Sequence, residues 1–140
     1  MFLSDRSNVR TLVCVLVALM AMGACKGPSE EEKAAQAACE YFQRLAEGDT
    51  DGFMACKAGA DSLSPAYAEQ LFAAAGKYRD ELQLKHGGIG KVAISDHVAY
   101  IDTLQSPPVM MTFLMLTFND STQEEIVVPL VLSNGQWLMK

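Results

Sequence analysis

Residues 109–140 read VMMTFLMLTFNDSTQEEIVVPLVLSNGQWLMK, and they decide the fold. Two long apolar runs, rich in β-branched and aromatic residues, are separated by the turn-forming Asn119-Asp120-Ser121-Thr122. Such runs bounded by turn residues read as strands. Asn134-Gly135 is a tight hairpin signal leading into a short third strand, Gln136–Lys140. The period of two places Met111, Phe113 and Met115 on one face and Met110 on the other. Pro129 has no N–H to donate, which predicts an edge strand or a bulge at that point.

Upstream the pattern changes. From Lys91 to Tyr100 the period is still two: Val92, Ile94, Val98 and Tyr100 alternate with Lys91, Ala93, Ser95 and His97. Before Gly90 it is helical. Ser64-Pro65 opens a helix, Tyr67, Leu71, Ala75, Tyr78 and Leu82 form its stripe, and His86-Gly87-Gly88 closes it. Further back, Ser29 with Glu32 three residues on is a capping-box signature. Ala35, Ala38, Cys39, Phe42, Leu45 and Ala46 follow at helical spacing up to Gly48. Asp49 or Thr50 can cap a second, short helix carrying Phe53 and Cys56. The chain therefore predicts a single α+β domain over residues 30–140, with three helices and then about four antiparallel strands.

The N-terminal stretch gives an address. MFLSDRSNVR carries Arg6 and Arg10, and the 12 residues Thr11–Met22 are apolar, too few for the ~20 of a spanning helix. A basic start, a short apolar run and small residues before a cut describe a secretory signal. Met22-Gly23-Ala24-Cys25 resembles a bacterial lipobox, with Met22 in a place more often held by leucine. The resemblance implies a signal peptide over residues 1–24, removed before Cys25, and diacylglycerol on the cysteine sulfur with an acylated amine. Residues 25–29 are then a lipidated cysteine and a short tether, and two or more chains meet the requirement for stable anchoring. The alternative is an ordinary cut after Ala24 that leaves a free thiol. The lipoprotein reading predicts a bacterial envelope location, in the outer membrane facing the periplasm where the source has one, with the membrane as partner through Cys25. Lys26 is at least not the aspartate that resembles an inner-membrane retention signal.

Charge excludes some partners. The whole chain carries −6, and losing Arg6, Arg10 and Asp5 with the leader makes it one unit more negative. Nucleic acid and anionic lipid surfaces both call for basic patches. With Cys14 in the leader and Cys25 lipidated, Cys39 and Cys56 remain. Gly48 lies nearly midway between them, so a helical hairpin turning there would bring the sulfurs to matching heights. That predicts a disulfide, Cys39–Cys56, in an oxidising compartment; the alternative is two free buried thiols.

EYFQRLAEGDTDGF followed by a longer helix, then meandering strands ending NGQWLMK, resembles the nuclear transport factor 2-like superfamily. It is similar in particular to small bacterial lipoproteins that carry a domain of unknown function with that cone-shaped fold. The resemblance implies helices packed on a curved sheet and a pocket within the cone. Some relatives are isomerases or dehydratases, but sites are grafted on folds and the likeness does not carry the activity.

The residues themselves give little chemistry. Asp96 interrupts an apolar face and could be a pocket acid, yet Asp96 and His97, as strand neighbours, point to opposite sides. A bulge whose carboxylate bonds local backbone is the plainer reading. His97 and His86 read as solvated. Tyr67, Tyr78, Asp96, Tyr100 and Phe113 are the candidate pocket lining. Met110, Met111 and Met115 read as core or lining rather than a soft-metal site. Neither a phosphate loop nor a serine elbow is present, so no catalytic residue, cofactor or metal is assigned. The expected role is non-catalytic binding or structure. The alternatives are a small cone-fold enzyme on an apolar ligand, or an assembly subunit pairing with itself or an envelope protein through the sheet.

Overall fold

Three helices precede five strands in the computed structural model, which describes residues 27–140. The leader, the lipobox-like motif and Cys25 lie outside the described residues. Helix α1, Glu30–Glu47, starts where Ser29 Oγ accepts the Glu32 amide at 3.2 Å and stops at Gly48, whose φ of 87° is left-handed. Helix α2, Thr50–Met54, is capped by Asp49, which accepts the Gly52 amide at 2.9 Å. A 3-10 turn at Ala60–Ser62 leads to α3, Pro65–His86, capped by Ser64 and ended by left-handed Gly87. The strands are β1 Ile89–Ile94, β2 Tyr100–Asp102, β3 Val109–Phe118, β4 Gln123–Ser133 and β5 Gln136–Met139.

The sheet is antiparallel, in the order β1-β3-β4-β5, with β2 sharing the β1 edge of β3. Even-numbered side chains of β3 point inward: Met110, Thr112, Leu114, Leu116 and Phe118 are buried. Against them α1 lays Ala34, Ala38, Tyr41, Phe42 and Leu45, and Val92, Val128, Leu130, Trp137 and Met139 complete the core. Two polar bonds stitch it without leaving an orphan. Thr112 Oγ1 donates to the Val128 carbonyl at 2.7 Å, and Tyr41 Oη donates to the Trp137 carbonyl.

Four expectations change. The run from Lys91 to Tyr100 is two strands, with Ser95–Ala99 as a loop between them, so the sheet has five strands. The loop shifts the parity: Ala99 is buried, while Val98 is 77% exposed. Second, β4 is an inner strand despite Pro129. The Lys140 amide donates to the Pro129 carbonyl, so the missing N–H faces the place where β5 ends.

Third, the α3 stripe is only partly covered. Ala75 and Leu82 are buried, whereas Tyr67 is half exposed and Tyr78 only partly covered. This helix leans on α2 and is held by polar bonds. Arg79 Nε donates to the Leu45 carbonyl at 3.2 Å, and His86 Nδ1 meets Asp120 Oδ2 at 2.7 Å. Asp120, bonded first by the Thr122 hydroxyl and then by His86, has its pKa lowered from 3.8 to about 2.

Fourth, Cys39 and Cys56 are free thiols. The two sulfurs bond to different parts of the structure, on different sides of α1. Cys39 Sγ points at the Val92 carbonyl on the sheet side, 3.7 Å away. Cys56 Sγ donates to Gly52 O at 3.2 Å and accepts from Arg44 Nη1 at 3.1 Å. Arg44 is five residues after Cys39, about 140° around the helix at 100° per residue. Burial pushes both thiols up, helped at Cys39 by Glu40 and opposed at Cys56 by Arg44.

Candidate functional site

The break between β1 and β2 builds the most distinctive surface. Ile94 pairs with Leu114 and Tyr100 with Met111, so five residues, Ser95–Ala99, face two on β3. The ladder crosses this gap by one bond, Ser95 N to the Phe113 carbonyl at 3.0 Å. The surplus folds outward. His97 lies flat on Phe113 with ring centroids 3.7 Å apart and an 8° tilt, and Tyr100 packs beside Phe113 at 6.1 Å. Phe113 is thus 6% exposed although it belongs to the outer face and not to the core.

Glu125 on β4, paired with Met115, reaches the same cluster. The Ser95 hydroxyl donates to Glu125 Oε2, and His97 Nδ1 lies 3.4 Å from Oε1. These bonds, Ser95 first and then His97, lower the Glu125 pKa. The expected local bond is made by a different residue: the Ser95 hydroxyl, rather than the Asp96 carboxylate, accepts the His97 amide at 3.2 Å.

Serine, histidine and glutamate together invite comparison with a hydrolytic triad, but the wiring is different. A triad serine gives its proton to histidine, which the acid then orients. Here serine and histidine both address the carboxylate, and the serine oxygen also accepts a backbone amide. The arrangement locks a loop.

Beneath that loop runs a groove of about 390 Å³, open along one side between Ser95–Ala99 and the first turns of α1. Ala35, Ile94, Ala99 and Phe113 give it an apolar floor, and Glu31, Glu32 and Asp96 stand around it. Neighbouring Glu30 is engaged elsewhere, with Lys33 Nζ at 2.8 Å and Trp137 Nε1 at 3.1 Å, and both bonds lower its pKa. A smaller apolar recess of about 300 Å³ lies between α2, α3 and β5, lined by Phe53, Leu71 and Met139.

The five candidate lining residues divide. Asp96 and Phe113 line the groove, and Tyr100 adjoins Phe113. Tyr67 and Tyr78 lie on α3 and do not reach it; burial, and then the Glu124 carboxylate, push the Tyr78 phenol up. Ser95, His97 and Glu125 were missed as a group, because only the β3–β4 register brings Glu125 to the loop. Among the described residues, no group of three or more His, Cys, Asp or Glu side chains is placed to hold a metal ion, and no helix is long and apolar enough to cross a membrane.

No family model matches the chain, and no curated protein matches it. Among solved structures it is similar to a Campylobacter jejuni protein, described as a candidate NTF2-like transpeptidase, whose crystal structure is at 2.00 Å resolution. The likeness has a TM-score of 0.55 at 15% identity and covers 73% of this chain and 92% of that one. At that identity it shows the fold alone. The chain has the cone fold of the nuclear transport factor 2-like proteins, as the sequence resemblance implied.

Proposed function

We propose that this chain is a membrane-tethered, non-catalytic binding domain of the bacterial envelope, and that its binding site is the groove under Ser95–Ala99. The observation that carries the reading is the groove itself, an apolar-floored opening held by a loop whose Ser95 and His97 side chains are committed to structure. A transpeptidase, the word in the C. jejuni protein's description, calls for a nucleophile activated by a base. The Ser95 hydroxyl is instead bonded to Glu125 and to the His97 amide. Isomerase or dehydratase chemistry would rest on Asp96 as base. Turnover of enolisable ketones that vanishes in a folded Asp96→Asn variant would establish that alternative instead.

The lipobox-like Met22-Gly23-Ala24-Cys25 supports the location. From Cys25 to the start of α1 at Glu30 the tether reaches at most roughly 17 Å, at about 3.4 Å per residue. The groove, beside that first turn, would then work close to the bilayer surface. Membrane fractionation and mass spectrometry of wild type and Cys25→Ser test this. The wild type should be membrane-bound with the mass of its acyl chains, and the variant should accumulate as an unlipidated precursor. Soluble wild type with a free Cys25 thiol would refute the anchor.

A second reading has one observation in its favour. On the outer face, Tyr100 and Val127 are about half exposed beside half-buried Met111, Met115 and Pro129. That stripe suits pairing with a second copy through the sheets. Solution mass by light scattering tests it, with a monomer at high concentration as the refuting result.

A further inference from the structure

Resting on the groove as the binding site, we propose that its ligand is an ammonium group carried on a short aliphatic chain. Two properties of the groove meet in that ligand class. Its volume, about 390 Å³, is at the small end of the range for ligand pockets, and its floor of Ala35, Ile94, Ala99 and Phe113 accepts hydrocarbon. The carboxyl side chains lining it, Glu31, Glu32 and Asp96, have no lysine or arginine beside them in the lining. None of the three takes part in an ion pair among the described residues.

Lys33, in the same first turns of α1, is already engaged with Glu30. The opposing field is the positive N-terminal end of α1, equivalent to roughly half a charge. Three carboxylates outweigh it, and Ser29 already satisfies one of its free amides. An anionic ligand would meet repulsion from Glu31, Glu32 and Asp96. A neutral chain would gain only the apolar floor. The cation gains both, by an amount that surface exposure keeps modest, about tenfold in affinity.

Three probes of one chain length separate these cases: octylammonium, octanol and octanoate, each below its aggregation threshold. They are titrated into the purified full chain, with the methyl resonances of Ile94, Val98 and Ala99 as the site-specific readout. Octylammonium should shift these methyls with about tenfold higher affinity than octanol, and octanoate should bind more weakly than either. The triple variant Glu31→Gln/Glu32→Gln/Asp96→Asn, at exposed or half-exposed positions, should bring octylammonium down to the affinity of octanol. Equal binding of all three probes to the wild type, or a preference unchanged in the variant, would overturn the ammonium assignment and leave the groove standing. If no probe moves the three methyls, the groove reading fails with it.

Discussion

Replacing His97 by alanine tests whether the loop is held by its ring or by its polar bonds. The ring stacks on Phe113 at 3.7 Å, and an aromatic pair contributes about 0.5–1.5 kcal/mol beyond area burial. Removing it also uncovers part of the Phe113 ring, which at about 25 cal/mol per Å² of apolar surface costs on the order of 1 kcal/mol more. His97 is itself half exposed, so the sum is taken near its middle, about 2 kcal/mol. The contact with Glu125 is exposed on both sides and adds little. His97→Phe keeps the stack and drops that contact, so it should stay close to wild type. In urea, with a slope of about 1.3 kcal/mol per M for a domain of this size, the alanine variant should lose about 1.5 M of midpoint. Equal losses in the alanine and phenylalanine variants would assign the loop to its polar bonds and refute the stacking argument.

Leu114→Ala removes three carbons from a fully buried site on the inner face, and transfer plus cavity terms give about 3–4 kcal/mol, read from the same urea midpoints. Asp120 has its pKa depressed to about 2, so its contribution to stability is full above its unfolded value of 3.8 and lost as pH falls from there toward 2; Asp120→Asn should flatten the pH dependence of the melting temperature in that window. Denatured, unreduced protein should show Cys39 and Cys56 both reacting with a thiol reagent, and the native thiols, raised by burial, should react slowly.

Much of the architecture was legible because its signals are local. Ser29, Ser64-Pro65, Gly48 and Gly87 punctuate helices through their own side chains or left-handed backbone, and the structure places each where the sequence does. The misreadings share another cause. Val92, Ile94, Val98 and Tyr100 keep even spacing on paper, but the pairing of Tyr100 with Met111 is a property of β3 that Ser95–Ala99 does not encode. The cysteine argument used distance along α1 and omitted direction around it. The open stripe of α3 has the right period for a core helix, and only the tertiary position of that helix leaves Tyr67 in water. Glu125 joins the site from 28 residues after His97, through a register no local pattern displays.

The site thus follows from a mismatch of length, which can be reversed. Between the pairs Ile94–Leu114 and Tyr100–Met111, five residues on one strand oppose Thr112 and Phe113 on the other. Deleting Asp96, His97 and Val98 leaves Ser95 opposite Phe113 and Ala99 opposite Thr112, which restores the register. Parity agrees as well: Ala99 would point inward, where it is already buried, and Ser95 outward. The shortened chain should fold with one continuous edge strand, because the deleted residues contribute nothing to the core. It should lose the stack on Phe113 and the groove together. Hydrogen exchange should then show ladder protection spreading through Ser95 and Ala99, and octylammonium should no longer shift the Ile94 methyl. A shortened protein that folds and still binds the probe with wild-type affinity would show that the loop does not form the site.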